Sequence, residues 1–263
     1  MSKAMQGLTA DQVVSAMGLP DAAMVNQRVP KKMLLENGVP TAADRKLIQD
    51  HIEQVTWVAA LKPANAGVPD FQDEQRTYLE VAVLTVAMRD LGGLTANSTK
   101  VKRISELLHR AIPYPVVVVL SEGENLFMSM CHIRWAHKEA DKTLLDGEPL
   151  FAALTADEFC SAFLEALAMS QQPRTHLYTL YQGWMDTLSA WQAAKVSGRF
   201  ALSQSTVHAA ERRAALQRCR ELDAKIASLR SAASKEKQLA RQVAANLEIK
   251  ALLAERQRVA ANV

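Results

Sequence analysis

The sequence predicts an α+β or α/β protein: a small mixed sheet flanked by helices, then a helical region, then a long C-terminal coiled-coil-like helix or helical hairpin. Apolar runs of strand length alternate with amphipathic segments in the first half, and neither Gly nor Pro occurs after Val207. The 263 residues can bury one sizeable core and carry an appendage. We expect a mixed α/β core domain over residues 1–140, a helical region packed on it over 141–200, and a basic arm over 201–263.

The N-terminal segment predicts a short helix and an extended piece of chain. Thr9 or Asp11 can cap a helix that ends at Gly18. Pro30 forbids a continuous helix through residues 24–32, so this segment is predicted to be extended chain or a short edge strand.

The next predicted element is an amphipathic helix that begins at Thr41 or Asp44 and ends before Pro63. Apolar residues recur along it at spacings of three and four, which is the pattern of a helix with one broad apolar face. These residues are Leu47, Ile48, Ile52, Val55, Trp57, Val58 and Leu61.

Two apolar stretches predict neighbouring strands. Residues 77–88 are rich in β-branched and aliphatic side chains, and residues 116–120 form an uninterrupted apolar run, typical of a central strand covered on both faces. A Gly92-Gly93 turn and a helix that begins at Ser98 or Thr99 lie between them, as in a right-handed crossover.

The pattern then changes from strand to helix. Residues 126–135 predict an antiparallel partner for the second strand, which gives a hairpin. After Asp141 the sequence is predicted to be helical, with one amphipathic helix over residues 156–169 and another from His176 to about Val196. Gly198 is expected to end the second helix.

The tail contains a heptad-like seam. Its residues step by alternating three and four, as positions a and d of a coiled coil do. They are Cys219, Leu222, Ile226, Leu229 and Ala233, whereas Leu239, Val243 and Leu253 fit a shifted register. The break near Ser234 indicates either a helical hairpin that turns there or one helix with a stutter.

Positive charge is concentrated in this tail. Residues 1–200 hold 19 Lys and Arg against 22 Asp and Glu, whereas residues 201–263 hold 12 against 6, a net charge of +6. A basic helix can contact phosphate or an acidic partner, although a solvated helix has the same composition. The candidate binding residues are Lys31, Lys32, Arg230, Lys235, Lys237 and Arg241.

No motif identifies catalytic residues. Glu80 invites comparison with nucleases that hold Mg²⁺ between acids on adjacent strands, but the second strand reads VVVVLS and has no acid-x-Lys. His132 and His137 form no recognisable metal-binding pattern. Phosphate-binding glycine loops and nucleophile elbows are absent from the sequence. We therefore expect no metal site and no cofactor, and we lean towards a protein that is not an enzyme.

The cysteines and the N-terminus predict a cytoplasmic protein. Cys131, Cys160 and Cys219 are odd in number and widely spaced, which favours a reducing compartment over a disulfide framework. The N-terminus lacks the apolar region of a signal peptide, and no apolar stretch approaches the length that spans a bilayer.

Several segments together resemble a known bacterial family. These segments are Val25 to Lys31, Trp57 to Pro63, Arg110 to Val116, Lys235 to Val243 and Asn246 to Lys250. Through them the chain is similar to the family catalogued as domain of unknown function 4391, and the similarity covers nearly the whole chain in order.

The resemblance implies a setting more than an activity. Such proteins look like companions of helicases and DNA methyltransferases in bacterial restriction-like or phage-defence gene clusters. We therefore expect a non-enzymatic accessory or adaptor subunit that docks to a helicase or DNA methyltransferase. The C-terminal arm is the candidate for contact with DNA and for self-association, and no membrane partner is expected. The alternatives are a Mg²⁺-dependent or degenerate nuclease and a DNA-binding protein that uses the basic arm.

Overall fold

The computed structural model describes residues 7–37, 41–89, 99–136, 143–203, 205–261 and 263. Its first elements are α1 (Ala10–Ala16), β1 (Met24–Arg28), α2 (Lys31–Asn37), α3 (Ala42–His51), β2 (Ile52–Leu61), α4 (Pro63–Ala66), β3 (Phe71–Gln72), β4 (Thr77–Tyr78) and β5 (Val81–Met88). They are followed by α5 (Thr99–Ala111), β6 (Val116–Glu122), β7 (Asn125–Met130), β8 (Ile133–Trp135), β9 (Thr143–Leu145), β10 (Leu150–Leu154), α6 (Cys160–Leu167), α7 (Leu177–Ser197), α8 (Thr206–Lys235) and α9 (Leu239–Ala260).

The central feature is a mixed sheet of six strands within the described residues, in the order β1-β2-β5-β6-β7-β10. Strands β5 and β6 are parallel, and the other neighbouring pairs are antiparallel. Helix α5 connects the parallel pair, as the predicted crossover requires. Strands β3 and β4 form a small second sheet, and β8 and β9 form a third. The predicted mixed fold with flanking helices is confirmed.

Helices α2, α3 and α5 cover one face of the main sheet. Because side chains alternate along a strand, every second residue of β5 and β6 points towards these helices. The strand residues of this core are Ala82, Leu84, Val86, Met88, Val116, Val118 and Leu120. Helix α5 contributes Val101, Ile104, Leu107 and Leu108, which recur at helical spacing.

A small polar network ties α5 to the sheet inside this core. The Ser105 hydroxyl donates to Ser129 Oγ over 2.6 Å, and His109 Nε2 lies 2.9 Å from the same oxygen. All three side chains are buried. Burial lowers the pKa of His109 to about 3, so its imidazole is neutral at pH 7.

The first part of α7 is tied to the start of β6 and to the residue that follows β7 by the hydroxyl group of Tyr181. The Tyr181 hydroxyl accepts from the backbone N–H of Cys131 and donates to the carbonyl of Val116, both over 2.8 Å. The Trp184 indole donates to the carbonyl of Leu167 over 2.9 Å. These hydrogen bonds satisfy the polar ends of two large buried rings.

The helix predicted from Thr41 to Leu61 is correct at its start and wrong after His51. Thr41 caps α3, because its Oγ1 accepts from the backbone N–H of Asp44 over 3.1 Å. Residues Ile52–Leu61 instead form β2, between β1 and β5. Valine, threonine and tryptophan favour strands. This strand has buried residues on both faces, so its apolar positions mimic helical spacing.

The prediction that the chain is helical after Asp141 is also wrong, since β9 and β10 lie there and β10 pairs with β7. The sequence of β10, LFAAL, is short and carries no alternation, so the neighbouring strand decides its conformation. The predicted strand over residues 77–88 is divided into β4 and β5, and the one over residues 126–135 into β7 and β8. The helix predicted over 156–169 is the shorter α6.

Several other predictions are confirmed. Thr9 caps α1, the extended segment before Pro30 is edge strand β1, and Gly198, with φ of +75°, follows the end of α7. Helix α2 directly after Pro30 was not predicted. The Gly92-Gly93 turn, like His137, lies outside the described residues.

The chain divides into two compact units, Met1–Leu188 and Ser189–Val263. The division falls within α7. The boundaries predicted at residues 140 and 200 remain predictions.

Candidate functional site

The second unit contains a helical hairpin formed by α8 and α9. Leu222 and Ile226 of α8 pack with Ile249 and Leu252 of α9, and Leu229 and Val259 extend this contact. The register change near Ser234 therefore corresponds to a turn between two helices rather than to a stutter in one. Four of the five predicted seam residues are buried and Leu229 is partly buried, and α9 of the same chain covers part of the seam.

Ion pairs join the two helices and run in antiparallel order. Arg218 Nη2 lies 2.6 Å from Glu255 Oε1, and Lys225 Nζ lies 3.1 Å from Glu248 Oε1. Arg256 pairs with Asp223 over 3.0 Å. In these pairs, three of the six acidic residues of the tail bind basic side chains of the same hairpin.

The turn of the hairpin carries a basic surface. The Glu236 carboxylate accepts from the backbone N–H groups of Lys237 and Gln238 over 2.8 and 2.9 Å, in the turn that precedes α9. Glu236 is the sole acidic residue between Asp223 and Glu248. Its charge is therefore held at the backbone of the turn.

The four basic residues predicted in the tail flank this turn. Arg241 approaches Glu236 at 4.0 Å. Arg230, Lys235 and Lys237 form no ion pair within the described part of the chain. The turn end of the hairpin thus presents net positive charge.

Lys31 and Lys32 belong to the first unit and have other surroundings. The Lys31 ammonium donates to the carbonyl of Ile52, and to that of Gln49 over 3.4 Å, so it binds the C-terminal end of α3. Burial lowers the pKa of Lys31. Lys32 is exposed and pairs with Glu36 over 3.7 Å. Lys31 therefore supports the fold, and Lys32 is a solvated surface charge.

Helix α9 also exposes an apolar stripe, formed by Leu239, Val243 and Leu247. Their exposed fractions are 74%, 50% and 64%. At about 100° per residue the three lie within roughly 80° of one another, on the side of α9 away from Ile249 and Leu252. The sequence indicated Leu239 and Val243 as part of a shifted register, and Leu247 was missed.

The residues that prompted comparison with catalytic or metal sites have structural partners. Glu80 lies between β4 and β5, with its carboxylate 3.1 Å from Lys62 Nζ. His132 accepts from the Tyr78 hydroxyl and donates to Gln182 Oε1 over 2.8 Å. Within the described ranges no group of three His, Cys, Asp or Glu side chains is arranged to hold a metal ion.

The cysteines and helices add two further findings. Burial raises the pKa of the Cys131 thiol to about 12, so it is protonated at neutral pH. Among the helices that the structure describes, none combines the length and apolar character needed to cross a membrane.

Comparisons with known proteins agree with the resemblance found in the sequence. A family model described as Domain of unknown function (DUF4391) matches residues 17–255, which is nearly the whole chain. Neither the comparison with curated proteins nor that with solved structures returned a match. The matched range includes the main sheet and most of the hairpin, and the chain therefore belongs to the family Domain of unknown function (DUF4391).

Proposed function

We propose that this protein is a non-enzymatic accessory or adaptor subunit whose C-terminal hairpin binds an acidic amphipathic helix of a larger protein. The bacterial setting implied by the family resemblance points to a helicase or DNA methyltransferase of a restriction-like or phage-defence system as that protein. The observation that carries the proposal is the exposed stripe of Leu239, Val243 and Leu247.

The stripe supports docking because the hairpin does not use it for its own stability. The opposite side of α9 already packs on α8 through Ile249 and Leu252. Burying a leucine or valine side chain contributes about 1.5–3 kcal/mol, so covering the stripe would favour association substantially. A row of apolar residues at helical spacing is the surface that a second amphipathic helix recognises.

Charge around the stripe supports an acidic partner. Lys237 precedes the stripe and Lys250 follows it, and neither forms an ion pair within the described residues. Glu248, the acidic residue nearest to Leu247 in sequence, is paired with Lys225. A partner helix with acidic residues beside its apolar face would meet complementary charge.

Co-purification of the full chain with the helicase and methyltransferase products of its neighbouring genes tests the proposal. We expect wild-type protein to co-elute with one of them and the triple variant Leu239→Gln, Val243→Gln, Leu247→Gln to lose it. Val207→Gln, at an exposed valine of α8, is the matched control and should co-elute normally. Retention of the partner by the folded triple variant would refute docking through this stripe.

A nuclease would give a different result. Mg²⁺-dependent cleavage of DNA by the wild-type chain, abolished by Glu80→Ala, would replace the adaptor function with the enzymatic alternative.

Direct DNA binding is a second candidate function, supported by the positive charge at the turn. Arg230, Lys235 and Lys237 have no described acidic partner, and lysines and arginines that bind phosphate release counterions from DNA. If the turn binds DNA, the logarithm of affinity should fall steeply with the logarithm of salt concentration. Replacement of these three residues and Arg241 by Gln should flatten that slope by about 0.9 for each phosphate that is no longer neutralised. An unchanged slope would exclude this surface from DNA binding.

A further inference from the structure

A cleft of about 620 Å³ opens on the face of the main sheet opposite α3 and α5. Its floor is formed by strands β1, β2, β5, β6 and β7, and α1 with the residues before it forms one wall. Pockets that hold small ligands usually measure about 300–1,000 Å³. The cleft is therefore large enough for a small molecule.

The residues on this face of the sheet change from apolar to polar at the cleft. Along β5 this face begins with Val81 and Val83, both fully buried, and continues with Thr85 and then Ala87, which line the cleft. Along β6 it begins with buried valines and ends with Ser121. Register places Thr56 of β2 opposite Thr85. Apolar packing thus gives way to a row of hydroxyl groups.

Amide side chains complete this row. Asn26, Gln54 and Asn125 line the same cleft. Gln54 donates to Thr56 Oγ1 over 3.1 Å, which orients its amide. The side chains of Asn26, Thr85, Ser121 and Asn125 make no hydrogen bond within the described part of the chain. Their donors and acceptors are available to a ligand.

The backbone at Asn26 holds one of these amides in an unusual position. Asn26 has φ of +50°, the single positive value for a non-glycine residue of the described chain. It lies at the irregularity in the pairing of β1 with β2, between Met24 and Gln27. Such bulges reorient side chains and occur next to functional sites, and asparagine tolerates this conformation better than most residues.

Thr85, Ala87 and Ser121, which line the cleft, lie in the carboxyl-terminal halves of β5 and β6, the parallel pair of the sheet.

The lining restricts the chemistry of the ligand. It contains no lysine, arginine or histidine among the described residues, so it offers no countercharge to a phosphate or carboxylate, and Asp11 is its one acidic residue. Amides present a donor beside an acceptor, which matches the edge of a nucleobase. Aliphatic side chains supply the apolar contact that the faces of such a ring require, and these are Leu8, Val14, Met24, Val58 and Leu126.

We propose that this cleft binds an uncharged nucleobase, presented as a free base or nucleoside, through Asn26, Gln54, Thr85 and Ser121. This site is independent of the hairpin and of the adaptor function. Calorimetric titration of the full chain with adenosine, guanosine, cytidine and uridine tests it, with glucose and inorganic phosphate as comparison ligands. We expect at least one nucleoside to bind and neither comparison ligand to do so.

Variants locate the binding. A neutral hydrogen bond contributes about 1 kcal/mol, so Thr85→Val and Gln54→Ala should each weaken binding by about fivefold. Asn26→Gly removes the amide while permitting the positive φ, and it should have a similar effect. Gln27→Ala, at the exposed neighbour of Asn26 that does not line the cleft, is the control and should bind as wild type does.

Amide chemical shifts of the wild-type chain provide a second measurement that needs no variant. Ligand-dependent shifts should centre on Thr85 and Ser121. Absence of binding by all four nucleosides at millimolar concentration, preferential binding of glucose or phosphate, or shifts confined to other strands would overturn the proposal.

Discussion

Replacement of Gly183 by alanine should destabilise the first unit, although alanine is the better helix former. Gly183 lies inside α7, where Gly→Ala ordinarily stabilises a helix by about 1 kcal/mol. Here a Cβ atom would lie 2.6 Å from Gln172 Oε1 and 2.7 Å from Pro173 Cδ. Both distances are too short for normal contact, so the surrounding segment must move.

The size of the effect follows from what that segment holds. The Gln172 amide is buried and donates to the carbonyls of Ala166 and Ala168 over 2.6 and 3.2 Å. Overpacking costs about 1–3 kcal/mol. Weakening of a neutral hydrogen bond adds about 1 kcal/mol. Since the gain in helix propensity offsets about 1 kcal/mol, we expect a net decrease of about 1–3 kcal/mol in the free energy of unfolding.

Urea denaturation of the full chain, followed by circular dichroism, measures this change. In a Gln172→Ala background the effect of Gly183→Ala should be smaller, because the Gln172 amide is absent and only the close approach to Pro173 remains. Stabilisation by Gly183→Ala of about 1 kcal/mol in the wild-type background would show that helix propensity outweighs the close approach, and would refute the reasoning.

Three further predictions concern the core, the hairpin and the lysine pair. His109 has a pKa of about 3 in the folded state and a higher pKa in the unfolded state, so its contribution to stability should be complete above about pH 6.5 and should disappear as the pH falls towards 3. The free energy of unfolding, measured with urea, should therefore decrease less from pH 7 to pH 4 in His109→Gln than in the wild type. Ile226→Ala should destabilise the hairpin by about 2–4 kcal/mol and speed amide hydrogen exchange in α9, whereas Leu247→Ala should change its stability by less than about 0.5 kcal/mol. Lys31→Ala should lower the free energy of unfolding by about 1–2 kcal/mol, because it removes the hydrogen bonds to the end of α3. Lys32→Ala should have almost no effect, because its ion pair is exposed to solvent. Equal effects of the two substitutions would contradict the assigned hydrogen bonds.

Local chemistry was sufficient wherever a few neighbouring residues decide the conformation. Thr9 and Thr41 could be recognised as helix caps because each side chain accepts from a backbone N–H three residues later. The run Val116 to Leu120 could be recognised as a central strand because both of its faces are buried. The same holds for the seam of α8, whose spacing alone identified the residues that became buried.

Contacts distant in sequence decided the rest. Ile52–Leu61 has apolar spacing compatible with a helix, and pairing with β1 and β5 makes it a strand. The short segment Leu150–Leu154 becomes an edge strand through its hydrogen bonds to β7. The candidate surfaces depend on tertiary structure in the same way.

The sequence by itself determined the mixed fold class, the family resemblance, the helix caps, and the basic heptad-like tail, because these follow from residue types at short, regular spacings. Tertiary structure alone decided that the tail turns back on itself, which encloses Leu222 and Ile226 and leaves Leu239, Val243 and Leu247 exposed. It also decided that polar residues from five separate strands line one cleft. The physical reason is that strand pairing and helix packing bring together residues that are far apart in the sequence. Such residues are not related by any regular spacing from which their contact could be predicted.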